Sequence, residues 1–280
     1  MEGSRLVLTI KEIECKSILN RSGLADYALN PYVGCEHGCR YCYGRFMMRY
    51  TKHREPWGRF VDVKMNGPRV LMKQVKRLPV GRVFISSVCD GWQALEEKYG
   101  ITRACVAILL ANGFPITILT KSALVCRDLD LMKGRPGVEL GATLTTLDEG
   151  LRRIFEPRSS CGMERLSLLE QAKAKDITTY AFLGPIMPYL FDTEENLRGL
   201  IATFRDVGVD WIYLDLLNPR PGVWASLNPV LRDHYPHLVR GYRGVLFDPR
   251  ERDRYGIRLK ERIGKLGRLY RLEEKLRFLW

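Results

Sequence analysis

Three of the eight cysteines lie close together in the segment NPYVGCEHGCRYCYGRFM, residues 30–47, where Cys35, Cys39 and Cys42 follow C-x-x-x-C-x-x-C. Two short intervals in a loop let three thiolates converge on one small volume. Iron–sulfur clusters are held by cysteine thiolates, normally four in an electron-transfer ferredoxin. No fourth cysteine stands at a matching spacing, so one iron of a 4Fe-4S cluster is left without a protein ligand. An open coordination position distinguishes a reactive metal site from a closed structural one, an argument made for zinc that carries over to a cluster iron. The same cysteines with His37 also spell a zinc site of three cysteines and one histidine. Against zinc, His37 lies between two ligands in a tight loop, and an α/β chain rarely needs such a staple. A brown protein with about four irons per chain separates the cluster from zinc.

The other cysteines have no ligand-like spacing, which argues against a second cluster. Cys15, Cys105 and Cys126 fit the usual buried thiol. Cys161 sits in EPRSSCGMER between Arg158 and Arg165 and reads as a loop cysteine. Eight cysteines in 280 residues do not make a disulfide scaffold, and a reducing compartment keeps thiols free for ligation. No apolar run approaches the length of a membrane span, and residues 1–10 are too short and interrupted for a signal peptide, so a cytoplasmic location is expected.

Charge points to a class of partner. The 45 Lys and Arg outnumber the 32 Asp and Glu, giving +13 and a field that draws polyanions. Nucleic acid is the natural candidate, with solubility as the plainer explanation. Around the cysteines Arg40, Arg45, Arg49, Lys52 and Arg54 are interleaved with Tyr43, Phe46 and Tyr50, a mixture suited to phosphates and exposed bases.

The elements that must position these residues follow one pattern. After a lead-in over residues 1–26, six β-rich runs are predicted at 27–34, 82–88, 115–120, 138–145, 177–183 and 211–217. Helices are predicted between them at 102–112, 127–132, 165–175 and 194–207. Apolar strands alternating with helices make a parallel sheet, either a partial (β/α)6 barrel or an open doubly wound sheet, which periodicity does not separate. Either way the chemistry gathers at the carboxyl ends of the strands. A catalytic α/β domain is expected over 27–217, followed after the turn-rich Asn218-Pro219-Arg220-Pro221-Gly222 by a basic helical extension over 218–280. Residues 240–280 hold 13 Lys and Arg against 6 Asp and Glu, more than half the net charge. There Ile263, Leu266, Leu269 and Tyr270 stand at helical spacing, an apolar face able to dock on the domain.

The cysteine spacing, with Tyr41 as the aromatic before the last cysteine, resembles the radical S-adenosylmethionine superfamily. More narrowly, NPYVGC, HGC and YCYGR look like the group related to spore photoproduct lyase. Thr120-Lys121-Ser122, Arg127-Asp128, LDEGLRRIFEPR (147–158), Gly184-Pro185-Ile186-Met187-Pro188 and Leu217-Asn218-Pro219-Arg220-Pro221-Gly222 agree, so the likeness covers most of the chain from Asn30 onward. It implies a partial (β/α)6 barrel of TIM type, a 4Fe-4S cluster on Cys35, Cys39 and Cys42, and S-adenosylmethionine chelated by the open iron. It further implies reductive cleavage to a 5'-deoxyadenosyl radical, fed by an external donor such as flavodoxin or ferredoxin. Strand-end residues are the implied cofactor contacts: Lys121 for the methionyl carboxylate, Thr143 and Thr145 for polar atoms, Asp90 for a ribose hydroxyl with Ser87 assisting, and Tyr41 within the cluster loop. Spore photoproduct lyase returns a hydrogen atom from a cysteine near the second strand end, and Cys89 lies in a comparable place amid poorly matching neighbours.

Two readings from other substrate classes stand beside repair or modification of nucleic acid. One is a radical enzyme acting on a protein, peptide or small metabolite, since fold says little about substrate. The other is a non-enzymatic metal-binding nucleic-acid module, which cleaves no S-adenosylmethionine.

Overall fold

Short β-branched runs bounded by turns build a sheet whose side-chain alternation decides its architecture. The computed structural model describes residues 8–280. Among these residues the strands are β1 (Thr9–Ile13), β2 (Leu19–Arg21), β3 (Tyr27–Leu29), β4 (Tyr32–Val33), β5 (Phe60–Lys64), β6 (Val83–Ile85), β7 (Ile116–Thr120), β8 (Val138–Thr143), β9 (Thr178–Ile186), β10 (Trp211–Leu216) and β11 (Leu276–Phe278). The α-helices are α1 (Gly67–Gln74), α2 (Leu95–Tyr99), α3 (Ile101–Ala111), α4 (Leu129–Met132), α5 (Glu149–Phe155), α6 (Gly162–Lys173), α7 (Glu194–Val207), α8 (Val223–His234), α9 (Val239–Phe247) and α10 (Pro249–Tyr270).

The main sheet runs β11-β10-β9-β8-β7-β6-β3-β2. From β3 to β10 every neighbour is parallel, while β2 adds antiparallel to β3 at one edge. Val83, Ile85, Ile116, Ile118, Leu140, Ala181, Leu183, Ile212 and Leu214 are fully buried. They pack with Val106, Leu109, Leu168, Leu169, Leu200, Ile201 and Phe204 from the helices in one core. The residues alternating with them, Phe84, Thr117, Leu119, Glu139, Phe182, Tyr213 and Asp215, are only half-buried and largely polar or aromatic. A doubly wound sheet is apolar on both faces because helices cover both. Here one face is covered and the other lines a concavity, which is the partial barrel.

The first predicted strand splits in two. Pro31 offers no backbone donor, and the chain leaves the main sheet after Leu29, so Tyr32–Val33 pairs antiparallel with β5. With β1 parallel to β5, these form a separate three-stranded sheet that carries the cysteine loop. The lead-in is therefore structured where described, as β1 and β2; its first seven residues lie outside the described part.

The tail packs against the sheet and adds a strand to it. Tyr255, Leu259, Ile263 and Leu266 of α10 are buried at successive turns of one face, and β11 extends the sheet parallel to β10. Leu269, expected on that docking face, is 60% exposed, and Tyr270 packs at its margin. No helix among the described residues is long and apolar enough to cross a membrane.

Candidate functional site

The cysteine loop leaves β4 and is folded tightly by glycine. Gly34 has φ +89°, and a Cβ there would collide with the Phe60 carbonyl. Gly38 (φ +61°) and Gly58 (φ +91°) cross so closely that a Cβ on Gly58 would stand 2.6 Å from the Gly38 Cα. Only glycine adopts those angles without strain at that approach. Neighbours then tie the loop down: Glu36 N donates to Gln93 Oε1 at 2.8 Å, Leu95 N donates to Glu36 Oε1 at 2.7 Å, and Arg40 N donates to Phe155 O at 2.8 Å. Tyr32, at the loop entrance, donates its hydroxyl to buried Glu96.

Cys35 and Cys39 are buried and Cys42 is half-buried, all as free thiols. Burial pushes all three up: Cys35 far above the ordinary thiol range, Cys39 to about 12 although Lys121 pulls it down, and Cys42 up against the pull of Lys121. Left alone the three are neutral, and it takes a bound cationic centre to make them thiolates. Donors for such thiolates are in place, since the Asp90 N–H favours the ionised form of Cys35 and the Gly44 N–H that of Cys42. Among the described residues no three of His, Cys, Asp and Glu meet closely enough to hold one metal ion. His37 is turned to Asp90, with Nδ1 3.5 Å from Oδ2. A cluster takes its cysteines on separate irons, so its ligands need not meet at a point. Backbone donors, two buried thiols, one half-buried thiol and one nearby lysine fit a 4Fe-4S cluster.

Behind the loop lies a buried network that residue-by-residue reading of the sequence missed. Tyr41 donates its hydroxyl to Glu156, which also accepts from Thr145 Oγ1 at 2.9 Å, from Ser159 Oγ at 3.3 Å and from Arg165. Arg165, 2% exposed, further donates to Thr143 O and Ser160 O, both at 2.9 Å. Burial alone would raise the Glu156 carboxyl, but Arg165, Lys121 and the Tyr41 hydrogen bond outweigh it and hold the group down at about 2. The only sequence signal for Glu156 was its place in the segment LDEGLRRIFEPR. From that segment Arg158 also reaches over the loop to donate to Gly58 O.

The expected cofactor contacts fall into two sets. Lys121 Nζ lies 5.9 Å over the Tyr41 ring, facing the loop, and Thr143 Oγ1 is buried without a partner. These two have bonding capacity to spare. Thr145 and Tyr41 spend theirs on Glu156, and Ser87 Oγ accepts from Asn30 Nδ2 at 2.8 Å. Asp90 is engaged at both oxygens by Trp92 N, Thr120 Oγ1 and Lys121 N, between 2.7 and 3.0 Å, and so joins the ends of β6 and β7. Cys89 is buried with its thiol donating to Tyr32 O at 3.4 Å, so hydrogen donation would first require breaking that bond. Cys161 is the N-cap of α6, accepting from Glu164 N at 3.4 Å while Glu164 Oε2 accepts from Cys161 N at 2.7 Å. Asp128 accepts from the Trp92 indole at 2.8 Å and pairs with Arg127 and Arg103, which fastens the loop after β6.

Around the mouth the cationic segment is divided. Arg45 turns inward, Nη2 donating to Cys39 O at 3.0 Å. Arg40, Arg49, Lys52 and Arg54 stay exposed, as do Tyr43 and Tyr50. Arg49 lies over the rings of Phe46 and Tyr50 at 5.6 and 4.9 Å, and Arg220 from the loop after β10 lies over Phe46 at 5.4 Å. Asp215, on the concave face at the end of β10, is raised to about 6 by burial.

Three cluster-type cysteines at the strand ends of a partial barrel define a site for one-electron chemistry. The chain belongs to the radical SAM superfamily, whose family model matches residues 29–201. Uncharacterized protein MJ0683 of Methanocaldococcus jannaschii is 34% identical over 82% of this chain and 85% of its own length. Uncharacterized protein Rv2578c of Mycobacterium tuberculosis is 32% identical over 95% and 82%. A spore photoproduct lyase solved with bound AdoMet and dinucleoside spore photoproduct shares the fold, with TM-score 0.68 over 100% of this chain and 86% of that one at 14% identity. The protein is thus a radical SAM enzyme, a family that uses a 4Fe-4S cluster and S-adenosylmethionine.

Proposed function

We propose that the enzyme acts on nucleic acid, repairing or modifying a base, with Cys35, Cys39 and Cys42 as the cluster ligands. The carrying observation is the Arg49–Phe46–Arg220 stack, which bridges the cysteine segment and the loop after β10 at the mouth of the site. Exposed guanidinium groups neutralise phosphates and exposed aromatic rings stack on bases taken out of a helix. The lyase that shares the fold was captured with a dinucleoside photoproduct, which supports the same class of substrate.

When bound, the cluster and S-adenosylmethionine would supply reductive carbon–sulfur cleavage and the capacity to remove a hydrogen atom from substrate. The chain's own residues do the holding. Lys121 pairs with the methionyl carboxylate, and Thr143 Oγ1 bonds a polar atom of the cofactor. Glu156 fixes Tyr41 and so the spacing between Cys39 and Cys42. Ser87 and Asp90 brace the strand ends from behind. The concave face, closed by the cysteine loop, keeps water from the reacting atoms. Electrons come from an external one-electron donor of the flavodoxin or ferredoxin class.

The test is anaerobic reconstitution followed by a dithionite assay for 5'-deoxyadenosine, comparing the natural chain with Cys39→Ala. Formation only by the natural chain is expected. Oligonucleotide affinity should fall steeply with salt, and Arg220→Ala should make the slope shallower by nearly one contact, about 0.7 to 0.9. Cofactor cleavage with salt-independent or absent oligonucleotide binding would move the substrate to protein, peptide or metabolite.

A further inference from the structure

Trp57 is 5% exposed, in the turn before β5 that crosses the cysteine loop at Gly58. Its indole N–H is wholly buried and has no hydrogen-bond partner among the described residues. Native interiors seldom leave such a donor unpaired, and one that is left so points to an acceptor supplied by something else. The indole lies against Cys42. Its Cζ2 and the Cys42 Sγ both press on Gly44, 3.2 and 3.3 Å from where a Cβ would stand. The donor therefore stands beside that sulfur and is unspent in the cluster-free chain. A neutral thiol is a weak acceptor, whereas a thiolate on a reduced cluster is a strong one.

We propose that Trp57 sets the reduction potential of the cluster by donating its indole N–H to the Cys42 sulfur. The step is a one-electron reduction by the external donor, with no bond made or broken. The added electron increases negative charge on the cluster and its ligands, so the hydrogen bond strengthens on reduction and raises the potential. Trp57 is a positioning residue that acts through Cys42. A Cβ at Gly44 would meet the Val88 carbonyl first, at 2.7 Å, and only then Trp57 and the Cys42 sulfur. The inference rests on Cys42 being a cluster ligand.

The experiment is a dye-mediated redox titration of anaerobically reconstituted Trp57→Phe, followed by the electron paramagnetic resonance of the reduced cluster, with iron counted in the same samples. Phe keeps the packing and removes the donor. At a fixed potential the ratio of reduced to oxidised cluster should fall about tenfold, a midpoint about 59 mV more negative. A fully loaded variant with an unmoved midpoint overturns the inference, because a merely structural role would alter loading and not potential. A natural chain that binds no iron–sulfur cluster would defeat the ligand assignment instead, and iron content separates the two failures. Should the variant not retain iron, natural protein labelled with 15N-indole tryptophan reports in its place. A nitrogen coupling to the reduced cluster is then expected, and its absence overturns the proposal; the buried Trp92 indole is committed to Asp128.

Discussion

Replacing Glu156 by Gln removes one charge from the centre of the network behind the cysteine loop. Glu156 is 0% and Arg165 2% exposed, so solvent does little to screen their pairing. The carboxyl is held at about 2, against an ordinary 4.5. At 1.36 kcal/mol per unit of displacement, that is about 3 kcal/mol. Breaking a buried pair by removing one partner costs about 3 to 5 kcal/mol, because the other charge is stranded. Arg165 keeps Thr143 O and Ser160 O, which favours the lower figure, about 3 kcal/mol. In a chain of this size the melting temperature should drop by about 6 to 12 °C. A carboxyl lowered on folding contributes stability that is complete above its unfolded value and is lost as pH falls through the folded one. The difference between the natural chain and Glu156→Gln should therefore be flat above about pH 5 and shrink as pH falls toward about 2. The assay is urea unfolding of the cluster-free protein across that range, with iron counted after reconstitution, since Tyr41 loses its anchor and loading should fall too. Equal unfolding midpoints near neutral pH with full iron loading would refute the view that this network holds the cluster loop.

Two further outcomes test the wall and the loop. Asp215 is raised from 3.8 to about 6 by burial, so its contribution is present below the unfolded value and is lost as pH rises through about 6. Asp215→Asn should then be more stable than the natural chain at pH near 8 by about 1 to 2 kcal/mol after allowance for solvent, with the gain gone below about pH 4; parallel pH profiles in urea unfolding would show that burial does not govern the group. Gly58→Ala puts a Cβ 2.6 Å from the Gly38 Cα at φ +91°, and should cost about 1 to 3 kcal/mol and most of the bound iron. Iron content alongside far-ultraviolet circular dichroism checks it, and full loading would mean that the crossing does not set the cysteine positions.

Much of the site was legible because spacing in a tight loop is local. Cys35, Cys39 and Cys42 sit within eight residues, and glycines at 34 and 38 allow only a sharp fold between them. The sheet was legible for the same reason, since Ile116–Thr120 and Trp211–Leu216 each announce a strand within a few residues. Glu194–Val207 carries its own signals, with a Thr193 cap at one end and Gly208 in the left-handed region at the other.

What the sequence by itself determined was therefore the inventory: three ligand-type thiols, a run of parallel strands and helices, and a basic balance. Which face of the strands stays open, and so a partial barrel rather than a doubly wound sheet, was decided only by where the helices pack. The same holds for Glu156, which meets Tyr41 across 115 positions, and for Trp57 against Cys42. Asp90, read as a ribose contact, and Cys89, read as a hydrogen donor, likewise bond partners that only the fold brings to them: Thr120 and Lys121 for Asp90, the Tyr32 carbonyl for Cys89. A buried polar group is defined by the partners that remove it from water, and for these groups the partners come from distant parts of the chain.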